Sequence, residues 1–134
     1  MSKEKKRILV VDDDVNILRI FRSILEKEGY VVDTVENGKD ALKKIRKEKF
    51  NVSLVDVRLP DMDGTELLLD MAETPETFKI IVTGFSSEQV GKKAADYGAD
   101  DFLVKPVKAE ELLAVVRKSQ EQYKMKAKSK GIIP

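Results

Sequence analysis

Five short apolar runs, each followed by a segment with helical spacing of its apolar residues, constrain this chain more than any other feature. An apolar run without polar alternation, bounded by turn residues, predicts a strand buried on both faces. The predicted strands are Arg7 to Val11, Tyr30 to Val35, Asn51 to Val55, Ile80 to Val82 and Phe102 to Val104. Between the first two, Ile17, Ile20, Phe21, Ile24 and Leu25 recur at helical spacing, and Gly29 is placed to end that helix in a left-handed turn. Asn37 and Gly38 open a second helix that turns Ala41, Leu42 and Ile45 inward. A third, Thr65 to Ala72, buries Leu67, Leu68 and Met71 before Thr74 and Pro75 break it. Ser86 and Gln89 have capping-box spacing for a fourth, running to Tyr97 and stopped by Gly98. Pro106 begins or precedes the fifth, whose Leu112, Val115 and Val116 face the interior.

Strict alternation implies a parallel sheet covered on both faces, because each parallel connection needs a right-handed crossover helix. The expected fold is therefore α/β: a doubly wound, five-stranded parallel sheet with five helices, in the flavodoxin-like strand order 2-1-3-4-5. The second run is the more polar and belongs at an edge. A length of 134 residues suits one domain. Hydrophobic residues at 42% and charged residues at 37% fit a globule with a heavily charged surface rather than a disordered chain. No apolar run approaches a membrane span and no signal-peptide pattern leads the chain, so a cytoplasmic location is expected.

In such a sheet, ligands collect beyond the carboxyl ends of the strands where the strand order reverses. Asp12, Asp13, Asp56, Thr83 and Lys105 all fall at such ends. Asp56 stands where the third strand stops, since an ionised carboxylate inside an apolar sheet costs several kcal/mol or more without a partner. The chain has neither cysteine nor histidine, which removes thiolate chemistry, the imidazole base and the imidazole metal ligand. Whatever chemistry occurs here uses carboxylates, lysine and hydroxyls. A net charge of +1 provides no global field toward nucleic acid or an anionic membrane.

Four segments in order resemble the receiver domain of bacterial two-component response regulators, over residues 5 to about 122. ILVVDDD resembles the family's first strand with its acidic pair, on Asp12 and Asp13. LVDVRLPDMDG resembles the strand and loop bearing the phosphorylated aspartate, on Asp56. IIVTG resembles the segment with the switch hydroxyl, on Thr83, and FLVKP the strand with the family's lysine, on Lys105, followed by a cis bond to Pro106. The rest of the chain, residues 123–134, reads as a basic helix end or the start of a linker, with Lys124, Lys126, Lys128 and Lys130 alternating with other residues.

The resemblance implies a phosphorylation-dependent switch. Asp56 would accept a phosphoryl group from a phosphohistidine on a sensor histidine kinase or phosphotransfer protein. Mg²⁺ would be held by Asp13, Asp56 and the main-chain carbonyl of Arg58, with Asp12 acting through water. An all-oxygen donor set suits that ion, and two acids about 4 Å apart repel by about 4 kcal/mol at an effective dielectric near 20, which calls for a cation. Such a domain catalyses its own phosphorylation and slow dephosphorylation while serving chiefly as a regulator. Thr83 would move toward the phosphate, with Gly84 leaving room, and Phe102 would turn into the vacated space. Phe102 lacks the hydroxyl of the tyrosine often found there, so it can report packing only. The remodelled surface of helix four, strand five and helix five would control a downstream effector or a covalently linked output domain, and could also form a homodimer. Arg58 and Phe85, each two residues past a site residue, would hinder an attacking water.

Rival readings fit less well. Asp61 to Thr65 spells the DxDGT signature of haloacid-dehalogenase-type phosphatases, but there the first aspartate directly follows a buried strand, and here Arg58, Leu59 and Pro60 intervene. An EF-hand loop would need acids where Leu59 and Asp70 stand, and Asp70 is not the required glutamate. No phosphate-cradling glycine motif follows any strand. The remaining alternative is a receiver fold used as a phosphorylation-independent docking module. A nucleic-acid partner is not expected for this segment.

Overall fold

The structure is a computed structural model that describes residues 6–73, 76–84 and 88–129. The roles expected of Thr74 and Pro75, of Phe85, of the Ser86 cap and of the last five residues lie outside the described residues.

Strand β1 (Arg7–Val11) leads into α1 (Val15–Lys27), β2 (Val31–Val35), α2 (Gly38–Lys47), β3 (Val52–Val55) and α3 (Gly64–Asp70), which tightens into a 3-10 turn at Met71–Glu73. Then follow β4 (Phe78–Thr83), α4 (Glu88–Asp96), β5 (Asp101–Val104) and α5 (Ala109–Ser129). The sheet is parallel throughout, in the order β2-β1-β3-β4-β5. This is the expected flavodoxin-like architecture, with the more polar β2 at an edge.

The continuous apolar run of β1 is explained by its two covered faces, since neighbouring strand residues point to opposite sides. Ile8 and Val10 pack with Leu18, Phe21 and Leu25 of α1 and Leu112, Val115 and Val116 of α5. Leu9 and Val11 pack with Ala41 of α2, Leu67 and Leu68 of α3, Met71 and Ala94 of α4. Helix ends follow local chemistry: the Asp14 carboxylate accepts from Asn16 N at the start of α1, and Asn37 accepts from Asp40 N at the start of α2. Gly29 and Gly98 end α1 and α4 at positive φ, +92° and +104°, a conformation that costs a residue with a Cβ.

Two local expectations change. Ile20 is 51% exposed. The core face of α1 is centred on Leu18, Phe21 and Leu25, and Ile20 lies roughly 130° around the helix from that centre at 100° per residue. Strand β4 begins two residues before Ile80, because Phe78 and Lys79 pair with Val52 and Ser53 of β3. Lys79 does not interrupt the strand: it is buried, and its ammonium donates to the Thr77 carbonyl at 3.1 Å. Among the described residues no helix is long and apolar enough to cross a membrane.

Candidate functional site at the carboxyl edge of the sheet

Strand register carries Asp12 and Asp56 to one place. Asp12 N donates to Val35 O and Asp56 N to Val11 O, so each acid continues the ladder one residue past its strand. Both carboxylates emerge where β1 and β3 run out of apolar cover, and both residues are buried, whereas Asp13 is exposed. One carboxylate oxygen from each of Asp12, Asp13 and Asp56 lies within 4.8 Å of the others.

The matching cation comes from the end of β5. Lys105 Nζ lies 2.6 Å from Asp12 Oδ2 and 3.2 Å from Asp56 Oδ2. The Lys105–Pro106 bond is cis, as the resemblance implies, and Pro106 is exposed. The Lys105 backbone N–H donates to Thr83 O at 2.8 Å, which ties the lysine to the end of β4.

Three acids facing one ammonium leave the cluster with surplus negative charge. Burial, and then the neighbouring Asp12 charge, push the Asp56 carboxyl above the usual aspartate range; Lys105 and a long 3.5 Å hydrogen bond from Arg58 N pull the other way without cancelling them. For Lys105, burial works against the ammonium, but the hydrogen bond and charge of Asp12 and then those of Asp56 outweigh it, and its pKa is raised. A compact set of hard oxygen donors with uncompensated charge fits a divalent cation such as Mg²⁺.

The remaining expected residues surround this cluster. Thr83 is fully buried. Phe102 pairs with Ile81 in the β4–β5 register, so it and Thr83, two residues beyond Ile81, share the sheet face covered by α2, α3 and α4. Phe102 is half-buried there. Among the described residues, the nearest contact for a Cβ added at Gly84 is the Lys105 Cβ at 4.0 Å. Arg58 is exposed and forms an isolated antiparallel bridge with Asp63. Cavities of about 310 and 240 Å³ flank β2, against α2 and α1 respectively, and neither is lined by the acidic cluster.

Three residues of the loop have roles that the sequence reading does not assign to them. Gly64 closes the loop onto the end of β3: its N–H donates to Val57 O at 2.6 Å, and a Cβ would fall 1.9 Å from the Asp56 carbonyl oxygen. Asp61 and Asp63, which suggested a phosphatase motif, are helix caps. The Asp61 carboxylate accepts from Gly38 N and Lys39 N of α2, each at 2.9 Å. The Asp63 carboxylate accepts from Thr65 N at 2.8 Å and faces Lys93 of α4 at 3.4 Å. An acid directly before a helical run is the signal for Asp63; nothing local marks Asp61, whose helix lies 23 residues earlier.

Known proteins resemble this chain in sequence and fold. The family model described as the response regulator receiver domain matches residues 8–117. Response regulator ArlR of Staphylococcus saprophyticus is 38% identical over 111 residues, 83% of this chain and 50% of ArlR, so the chain spans half the length of that relative. A CheY-like receiver domain protein from Methanospirillum hungatei superposes with a TM-score of 0.89 at 40% identity, over 92% of this chain and 99% of that one. The BeF3-activated DrrB receiver domain, from a Thermotoga maritima regulator, gives 0.82 at 37% identity over 88% and 99%. The matched span takes in every strand end that builds the acidic cluster and the helices that cover the sheet, and the chain belongs to the response regulator receiver domain family.

Proposed function

We propose that this chain is a phosphorylation-dependent switch in which Asp56 is the phosphoacceptor. The observation that carries the reading is the meeting of the Asp12, Asp13 and Asp56 carboxylates with the Lys105 ammonium at one sheet edge. The donor would be a phosphohistidine on a sensor histidine kinase or phosphotransfer protein. An Asp56 oxygen forms the new P–O bond while the P–N bond breaks, and its electron pair stays on the imidazole nitrogen, which takes up a proton. No general base is needed, because the attacking group is a carboxylate oxygen and has no proton to be removed during the attack.

The Asp13 and Asp56 carboxylates and the Arg58 carbonyl would hold Mg²⁺, with Asp12 acting through water. When bound, the ion neutralises charge on the phosphoryl oxygens and on the crowded acids. Lys105 supplies a second point charge to the same oxygens and offsets part of the repulsion between Asp12 and Asp56 in the free site. The Thr83 hydroxyl would then bond the phosphoryl group, and Phe102, on the same face, would follow it inward. Phosphate shifts the population only through such differential contacts. The readout is the surface of α4, β5 and α5, acting on an effector or linked output domain, or pairing two copies. A cytoplasmic setting, a domain over residues 1–122 and a basic segment from 123 belong to the same reading.

Intact mass after incubation with acetyl phosphate and Mg²⁺ tests it. The wild type should gain one phosphoryl group and Asp56→Asn none. No gain in the wild type, or an undiminished gain in the variant, would remove Asp56 from the role and leave the docking-module reading.

A further inference from the structure

The loop from Val57 to Asp63 is anchored at both ends. At the sheet, Gly64 N–H holds Val57 O at 2.6 Å. At its far tip, Asp61 takes two amides of the first turn of α2, a ten-residue helix, at 2.9 Å each. First-turn amides have no carbonyl partner within their own helix, so the carboxylate answers donors that would otherwise need water, and the helix dipole favours its charge. Its carboxyl is held below the usual aspartate range by those same two hydrogen bonds, Gly38 first and Lys39 second. Met62 reinforces the contact: an added Cβ at Gly38 would fall 2.4 Å from the Met62 Sδ, so the thioether lies where a side chain would stand. Leu59 N donates to Met62 O at 3.2 Å and Arg58 bridges Asp63, which closes the loop into a hydrogen-bonded turn. Arg58 lies between the two anchors.

We propose that Asp61 is a positioning residue for the acceptor site: by gripping the first turn of α2 it sets where the Arg58 carbonyl stands, and so how tightly the site holds Mg²⁺. This rests on the reading of Asp13, Asp56 and the Arg58 carbonyl as the metal-holding set. Groups that bond metal ligands directly commonly change metal affinity by about 10–100-fold when removed, and Asp61, acting through the loop rather than by a direct bond, belongs at the lower end of that range.

The test is a Mg²⁺ titration of the full chain, read by the Arg58 amide in NMR and by the acetyl phosphate labelling rate across Mg²⁺ concentrations, with melting temperature measured in chelator. Asp61→Ala should raise the Mg²⁺ midpoint about tenfold, while the labelling rate at saturating Mg²⁺ returns to within about twofold of wild type. Asp61→Asn keeps an oxygen for one of the two amides and should fall between. Gly38→Ala, which displaces Met62 but leaves the carboxylate, should shift the midpoint the same way by less. If Asp61→Ala does not fold, these two variants decide the matter. A Mg²⁺ midpoint unchanged in folded variants, with only the melting temperature lowered, makes Asp61 a structural cap and overturns the proposal. A wild-type chain that neither responds to Mg²⁺ nor takes phosphate overturns the metal site itself, and this inference with it.

Discussion

Two charged clusters sit at opposite ends of β1 and behave in opposite ways. At its amino end, Arg7, Asp33, Lys44 and Glu48 close a ring of ion pairs at 3.0 to 3.5 Å, two cations against two acids. At its carboxyl end, the Asp12, Asp13 and Asp56 carboxylates cluster, and Lys105 pairs with Asp12 and Asp56. In the ring the charges support one another: a hydrogen bond and charge from Arg7, then Lys44, hold Glu48 below the usual glutamate range, and Asp33 raises Lys44. At the other end burial and Asp12 raise Asp56. The ring balances two cations against two acids, whereas the acidic cluster gathers three carboxylates around the Lys105 ammonium. Charge imbalance, rather than the presence of charge, distinguishes the site from the scaffold.

The largest expected effect is loss of phosphorylation in Asp56→Asn, and the same variant sharpens the comparison through stability. Because the folded pKa of Asp56 is raised, ionisation favours the unfolded chain: its cost is absent below the unfolded value near 3.9 and grows as pH rises through the folded one. Without divalent cation, Asp56→Asn should therefore melt higher than the wild type at neutral pH, and the gap should close toward pH 4. A gap that widens on acidification would contradict an overcrowded site. Glu48 has the reverse sign. Its depressed pKa contributes stability present above the unfolded value and lost as pH falls through the folded one, so Glu48→Gln should matter at neutral pH and cease to matter in acid.

Next in size, Mg²⁺ at about 100 times its dissociation constant should stabilise the wild type by about 2.7 kcal/mol through mass action. Asp13→Asn should lessen that gain. Equal melting in chelator and in millimolar Mg²⁺ would mean that the acidic cluster needs no cation. The smallest effect belongs to the ring: Lys44→Met should move the melting temperature far less than Mg²⁺ does, and about 1 M salt should erase the difference, since exposed pairs are weak and screened. A salt-resistant loss would show the ring to be less like a solvated surface than its exposure indicates.

Much of this contrast was legible beforehand at one end only. Asp12, Asp13, Asp56, Thr83 and Lys105 follow apolar runs, and parallel topology alone brings strand ends together, so their convergence could be expected from residue order. The ring could not, because Arg7 reaches Glu48 across 41 residues through side chains long enough to pair in many ways. The same applies to the loop: Asp63 caps the helix that follows it, a local signature, while Asp61 caps one folded far earlier in the chain.

Apolar periodicity, glycines at helix ends and capping side chains act over a few residues, so order and spacing along the chain were enough to define five strands, five helices, their parallel arrangement and the edge where the acids gather. Packing decided the rest: Ile20 turned to solvent, Lys79 buried within β4, Gly64 pressed against the Asp56 carbonyl, and a Lys105 ammonium nearer Asp12 than Asp56. These depend on separations of ångströms between residues distant in the chain, and such distances exist only once the layers have closed on one another.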